Sequence, residues 1–211
     1  MKFSELLEIT AGLPVFETGL LLAGDRDPKD VRRQLSRWAA DGKILQLKRG
    51  LYTLAPPYRK VTPHPFLAAN RLVLGSYVSL QSALAHYGLI PEYVPVTLSM
   101  TTRSPVSWEN PLGVFRFHHI VADLFTGYRV EEVTAGQQVY LASPEKALLD
   151  LVHLTPGGGD PAYLEELRLQ NLDRIDQDRL HQLAGDRPKL ERAAEEIVRL
   201  VAAEREVYGT S

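Results

Sequence analysis

Apolar side chains in the first sixty residues recur first at helical and then at strand spacing. In "GDRDPKDVRRQLSRWAADG" Val31, Leu35 and Trp38 follow one another at spacings of four and three. At 100° per residue they share one narrow arc and must face a core. Asp27 is a suitable N-cap, Pro28 suits the first helical position, and Gly42 is a natural stop, which predicts a helix over 28–41. Before it, Phe3, Leu6, Leu7 and Ile9 predict a short helix over 3–11 ended by Gly12. A second short helix opens at Glu17 or Thr18, runs through Leu20, Leu21 and Leu22, and closes at Gly24. After the third helix, "GKILQLKRGLYTLAPP" (42–57) carries Ile44, Leu45 and Leu47 up to Lys48-Arg49-Gly50 and returns through Leu51, Tyr52 and Leu54. Gly50 supplies the positive φ of a tight hairpin. Two short helices, a longer third and a hairpin form the order of a winged helix-turn-helix.

The pattern then breaks. "APPYRKVTPHP" (55–65) has four prolines in eleven residues and no periodicity, the mark of a stiff connector. Beyond it, helices are expected near 65–73 and 79–87, the second with Ser79 as N-cap and Gly88 as stop. "VPVTLSMTT" and "GVFRFHHIV" predict strands, the latter alternating Phe115, Phe117 and His119 against Val114, Arg116 and His118. "YRVEEV" and "QQVYLA" continue a sheet. In "SPEKALLDLVHL" Ser143 is an N-cap, Pro144 sits at N1, and Glu145 lies near the positive helix end. Glycines 157–159 predict a flexible joint before an all-helical tail, where Leu190, Ala194, Ile197 and Val201 form one stripe.

Charge sharpens the contrast between the halves. Residues 1–60 hold 11 basic and 7 acidic side chains (+4), and the rest hold 13 against 19 (−6). Between Arg26 and Lys60 the balance is 10 against 3, or +7. On the helix over 28–41, Lys29, Arg33, Ser36 and Ala40 lie opposite the apolar arc, flanked by Arg32 and Arg37. Small residues there permit close approach to a major groove, while Arg and Lys reach phosphates or guanine edges. The same letters also describe a helix face that is merely solvated. There are no cysteines, so thiol chemistry and disulfides are excluded. No apolar run is long enough to span a bilayer, and acids in "MKFSELLEIT" interrupt the stretch a signal peptide needs. A cytoplasmic location is expected.

Several segments together resemble one family. "LSRWAADGKILQLKRGLYTL" (35–54) resembles the winged-helix segment of AbiEi-type antitoxins, the DNA-binding half of type IV toxin–antitoxin systems. "YVSLQSALAHYGLIPE" (77–92), "FTGYRV" (125–130) and "ASPEKALLDLVHL" (142–154) resemble that family's second domain in the same order. The resemblance covers about residues 5–155. It implies a transcriptional repressor that binds operator DNA upstream of its own gene. The second domain would counteract a nucleotidyltransferase-like toxin. The family's DNA-binding roles carry over to Lys29, Arg32, Arg33, Ser36 and Arg37 on the helix and to Lys48 and Arg49 at the wing tip, the last two expected at backbone or the adjacent minor groove. The fold expected is α+β: a winged helix-turn-helix over 1–56, a linker over 57–65, and a mixed α/β antitoxin-like domain over 66–211. C-terminal helices would occupy about 160–208. The alternative from another class is a protein-binding module or stand-alone regulator, its DNA binding lost or unrelated to a toxin.

Catalysis finds little support in the letters, and no enzyme activity, metal or cofactor is expected. His118 and His119 are adjacent on a strand and point to opposite faces, so they do not chelate one ion. Glu145 and Lys146 evoke nuclease chemistry, but a helix cap explains them, and no second carboxylate pairs with them obviously. Ser82 and His86 are one helical turn apart, yet no nucleophile elbow surrounds the serine. "PGGGD" (156–160) lacks the Lys-Ser/Thr of a P-loop. Tyr77, Tyr87, Tyr93 and Trp108 are expected as core and interface aromatics.

Overall fold

The computed structural model describes residues 1–23 and 26–208. Among these the chain is a mixed α/β protein with nine α-helices and two sheets. Its buried apolar residues fall into two clusters.

The first cluster is built by α1 (Phe3–Thr10), α2 (Thr18–Leu21), α3 (Pro28–Ala40) and a three-stranded sheet of β1 (Phe16–Glu17), β2 (Ile44–Lys48) and β3 (Leu51–Leu54). The sheet order is β1-β3-β2, with both pairings antiparallel. α3 begins where the sequence places it: Asp27 accepts from the Lys29 N–H at 2.8 Å, with Pro28 in the first turn. It ends one residue early, at Ala40, and Gly42 turns away with φ 66°. Val31, Leu35 and Trp38 are buried together with Leu6, Phe16, Leu21, Ile44, Tyr52 and Leu54. Gly24, expected to close the second helix, lies outside the described residues.

The second cluster centres on a six-stranded sheet of order β6-β7-β5-β4-β9-β8. Its strands are β4 (Ser76–Val78), β5 (Val96–Thr101), β6 (Val106–Asn110), β7 (Gly113–His119), β8 (Tyr128–Thr134) and β9 (Gln137–Ala142). β5 runs parallel to β7 and β4 to β9, and the remaining pairs are antiparallel. Helices α4 (Pro65–Leu72), α5 (Leu80–His86), α6 (Pro144–Leu154), α7 (Pro161–Glu166), α8 (Gln177–Ala184) and α9 (Pro188–Tyr208) complete it. The expected tail stripe of Leu190, Ala194, Ile197 and Val201 is buried, with Ala193 beside it. No helix among the described residues is long and apolar enough to cross a membrane.

Three local expectations are corrected. Ser79 occupies the N-cap position of α5, but its side chain makes no capping bond: Leu80 follows in the left-handed region (φ 55°), and the Ser79 hydroxyl donates instead to Asp150 at 2.7 Å. The glycine run is a tight packing site. A Cβ on Gly158 would stand 2.8 Å from the Val152 carbonyl oxygen, and one on Gly159 3.0 Å from that of Lys189. Tyr93 is no core aromatic, being 88% exposed.

The connector is anchored along its length. Tyr58 packs edge-on against Phe3 at 4.9 Å. Further along, the Gln137 side-chain amide donates to the Thr62 carbonyl at 2.9 Å, and its oxygen accepts from the His64 N–H at 2.8 Å. His64 then caps α4 through Nδ1, which accepts from the Phe66 N–H.

Candidate nucleic-acid interface

The helix geometry places five of the seven candidate residues together. With Val31, Leu35 and Trp38 buried, the opposite face of α3 presents Lys29, Arg32, Arg33, Ser36 and Arg37, all exposed, with Ala40 exposed at the same end as Arg37. Arg33 donates to Asp30 at 2.8 Å, both side chains well exposed. An ion pair this open to water contributes little to stability and is readily exchanged for another anion.

The hairpin departs from expectation. Gln46 pairs with Tyr52 and Lys48 with Leu51, which leaves Leu47 as an extra residue in β2. Such a bulge bends the strand and re-aims its side chains. Leu47 and its neighbour Leu51 consequently belong to the second core, with Leu67, Leu72 and Phe115 among its members. Lys48 turns the same way. Its ammonium is half-buried and donates to the Leu72 carbonyl at 2.6 Å, so it is not the solvent-facing wing-tip cation foreseen. Burial pushes its pKa down, Glu17 pulls it up, and Arg103 pushes it down further. Arg49 remains exposed at the tip. Gly50 takes φ 87°, and its carbonyl accepts from the Thr18 N–H at 2.9 Å, tying the tip to the start of α2. A second tie comes from Asn110 on β6, whose amide donates to the Leu47 carbonyl at 3.4 Å.

The chemistry-bearing residues of the second half gather elsewhere, in a closed polar cluster. Ser143 accepts from the Lys146 N–H at 3.3 Å and donates to Glu145 at 2.7 Å. Glu145 also accepts from the Asp176 N–H at 3.0 Å and lies 3.6 Å from the Arg179 guanidinium. Lys146 does have a carboxylate partner that adjacent-residue reasoning missed: Asp150, one helical turn on, at 2.6 Å. Asp150 further accepts from Tyr77 at 2.9 Å and Ser79 at 2.7 Å. Burial raises the Asp150 carboxyl above its usual range, opposed by Lys146 and the two hydroxyls. Tyr77, Ser79, Ser143, Glu145, Lys146 and Asp150 are each at most 3% exposed, and only Asp176 and Arg179 at the edge of the cluster reach solvent. An i, i+4 acid–base pair on α6 was the available signal, masked because Asp150 sits among leucines.

Other candidates separate. Ser82 donates to the Val96 carbonyl and accepts from the Leu98 N–H, fixing β5 and making no bond to His86. His118 is half-buried and His119 exposed, with His119 Nδ1 beside the Arg103 carbonyl. Among the described residues no group of three or more metal-ligating side chains stands together.

The fold defines a mixed α/β chain with a basic helix face at one end. Comparison with known proteins adds fold likeness alone. No family model matches the chain, and no curated protein does. Among solved structures it is similar to the crystal structure of the Rv2827c protein from Mycobacterium tuberculosis. The two share 19% identity at a TM-score of 0.56, over 94% of this chain and 80% of that one.

Proposed function

We propose that this chain is a DNA-binding transcriptional repressor of the AbiEi type, with its first 56 residues acting as a winged helix-turn-helix. The observation that carries the reading is the exposed face of α3, where Lys29, Arg32, Arg33 and Arg37 surround Ser36 opposite a fully buried stripe. A helix so anchored enters a major groove with its cations at phosphates and base edges. Arg49 extends the contact to the backbone beside it. Lys48 serves the fold instead, holding the hairpin against the second body. The second body, about 66–211, is the half that counteracts a nucleotidyltransferase-like toxin, and the protein works in the cytoplasm without cofactor or catalysis.

The test is binding of a labelled duplex taken from just upstream of the chain's own gene. Specific, salt-dependent retention by the parent and its loss in a Lys29/Arg33/Arg37 triple alanine variant support the assignment. Equal retention by both overturns it. The toxin half is tested by co-expression with an adjacent nucleotidyltransferase gene, where this chain must restore growth.

One observation favours a second reading, a protein-binding module that no longer reads DNA. Leu47, Lys48 and Leu51 are turned toward the second body, so Arg49 alone of the two hairpin cations stays exposed. That reading expects salt-insensitive, negligible DNA binding and a tight complex with a neighbouring gene product.

A further inference from the structure

Between the hairpin and the second body lies a cavity of about 380 Å³, lined by Lys48, Arg103, Ser104 and Trp108 with the apolar side chains of Leu72–Leu74 and Val106. Its volume is within the range of small-molecule sites. Every charged side chain that lines it is positive. By contrast, a wider cleft of about 990 Å³ mixes Asp123, Asp176, Asp178 and Asp186 with Arg179 and Arg187 and so carries both signs.

We infer that this junction cavity binds a small organic anion, a carboxylate or sulfonate head on an aryl or branched-alkyl body. Four features converge on that chemistry. First, Lys48 uses one of its three ammonium protons on the Leu72 carbonyl, which leaves two for a ligand. Second, Arg103 has no carboxylate within salt-bridge distance among the described residues, and its guanidinium offers a planar fork suited to a carboxylate. Lys48 and Arg103 both line the cavity, and although Glu17 attracts Lys48 more strongly than Arg103 repels it, an anion seated between the two cations is drawn by both. Third, the Trp108 indole forms part of the wall and supplies an aromatic surface for the ligand body, while its Nε1–H, buried without an acceptor among the described residues, gives a signal sensitive to what packs beside the ring. Fourth, Leu74 and Val106 rank among the exposed large apolar side chains, at 53% and 36%, and form open walls for an apolar body.

The site stands independently of the DNA reading, since none of these features uses the α3 face. Salicylate and naphthalene-1-sulfonate are suitable probes, with inorganic phosphate as the head-group control. The chain has two tryptophans, Trp38 and Trp108, so the full-length protein gives two indole N–H signals. A Trp108→Phe variant identifies the one that belongs to the cavity.

Titration with salicylate is expected to shift the Trp108 signal saturably, to leave Trp38 in place, and to raise the Tm. Arg103→Ala and Lys48→Met should each weaken the apparent affinity about tenfold or more, as expected for loss of a charge-assisted bond. Arg103 is exposed, so its variant keeps the fold and remains a fair test even where Lys48→Met unfolds. A Trp108 signal that stays put, or that moves equally in Arg103→Ala, overturns the assignment. So does inorganic phosphate saturating the signal as well as salicylate, which would make it a plain phosphate site. A duplex that shifts the same signal in an Arg103-dependent way would give the cavity to the DNA backbone and also overturn it.

Discussion

Lys146 and Asp150 face each other at 2.6 Å across one turn of α6, with side chains 4% and 1% exposed. Neither charge has water to fall back on, so each depends on the other. Asp150→Asn strands the ammonium and is expected to cost about 3–5 kcal/mol in chemical denaturation. Lys146→Met leaves a buried carboxyl whose folded pKa lies above its unfolded value, so the native state holds the proton longer. Between those two pKa values the native state binds more protons than the unfolded one, and stability must fall as pH rises. Denaturation of Lys146→Met between pH 4 and 8 should therefore show a steeper decline than the parent, and a parallel profile refutes the pairing.

On α3, the triple variant Lys29→Ala, Arg33→Ala, Arg37→Ala should flatten the log–log salt dependence of duplex binding by roughly two to three units. Asp30→Ala is expected to act in the opposite sense. It removes the carboxylate paired with Arg33 and brings a net positive increment to the face, so affinity rises. Anisotropy at several salt concentrations measures both, and weaker binding by Asp30→Ala contradicts the proposed groove contact.

Lys48 and Arg49 are neighbours with separable roles. Arg49→Ala should weaken binding to all duplexes alike and reduce the salt slope by about one unit, leaving the melting curve unchanged. Lys48→Met leaves the Leu72 carbonyl without its donor and is expected to lower unfolding stability by about 1.5–3 kcal/mol. Thermal melts beside binding curves distinguish them.

Gln137 clamps the connector with both ends of its amide. Gln137→Ala removes two hydrogen bonds and should cost about 1–3 kcal/mol while opening residues 56–62 to limited proteolysis. His64 adds a pH component. Burial and then the nearby His86 push its pKa down, and its Nδ1 caps α4 only when unprotonated. A lowered His pKa contributes stability above the ordinary value of about 6.5 that is lost as pH falls through the folded one. A His64→Asn variant retains a cap acceptor and should lose this acid sensitivity in melts below pH 6.5.

Local chemistry accounts for what the sequence disclosed. Asp27, Pro28 and Gly42 act within a turn of α3, so its boundaries and basic face were legible. The same holds for Ser143 and Pro144 at α6 and for the alternation of Phe115 and Phe117 on β7. Strands β4 and β6 were not foreseen. β4 is three residues long, and β6 keeps Val106, Ser107 and Glu109 exposed, so neither has a periodic signal. Ser79 holds the N-cap position, but its hydroxyl was expected to bond within the turn because its actual partner, Asp150, lies 71 residues away. Lys48 looked like a wing tip because a bulge at Leu47 leaves no mark in the letters.

That bulge has a mechanical consequence. Leu47 and Leu51 sit in one core while Ile44, Tyr52 and Leu54 of the same two strands sit in the other, so the hairpin acts as a rivet through both. Swivelling α3 against the six-stranded sheet would pull both leucines into water, at about 1.5–3 kcal/mol each. The bearing of the basic helix is therefore set by the fold itself, and under the proposed DNA reading a duplex must come to it at that angle.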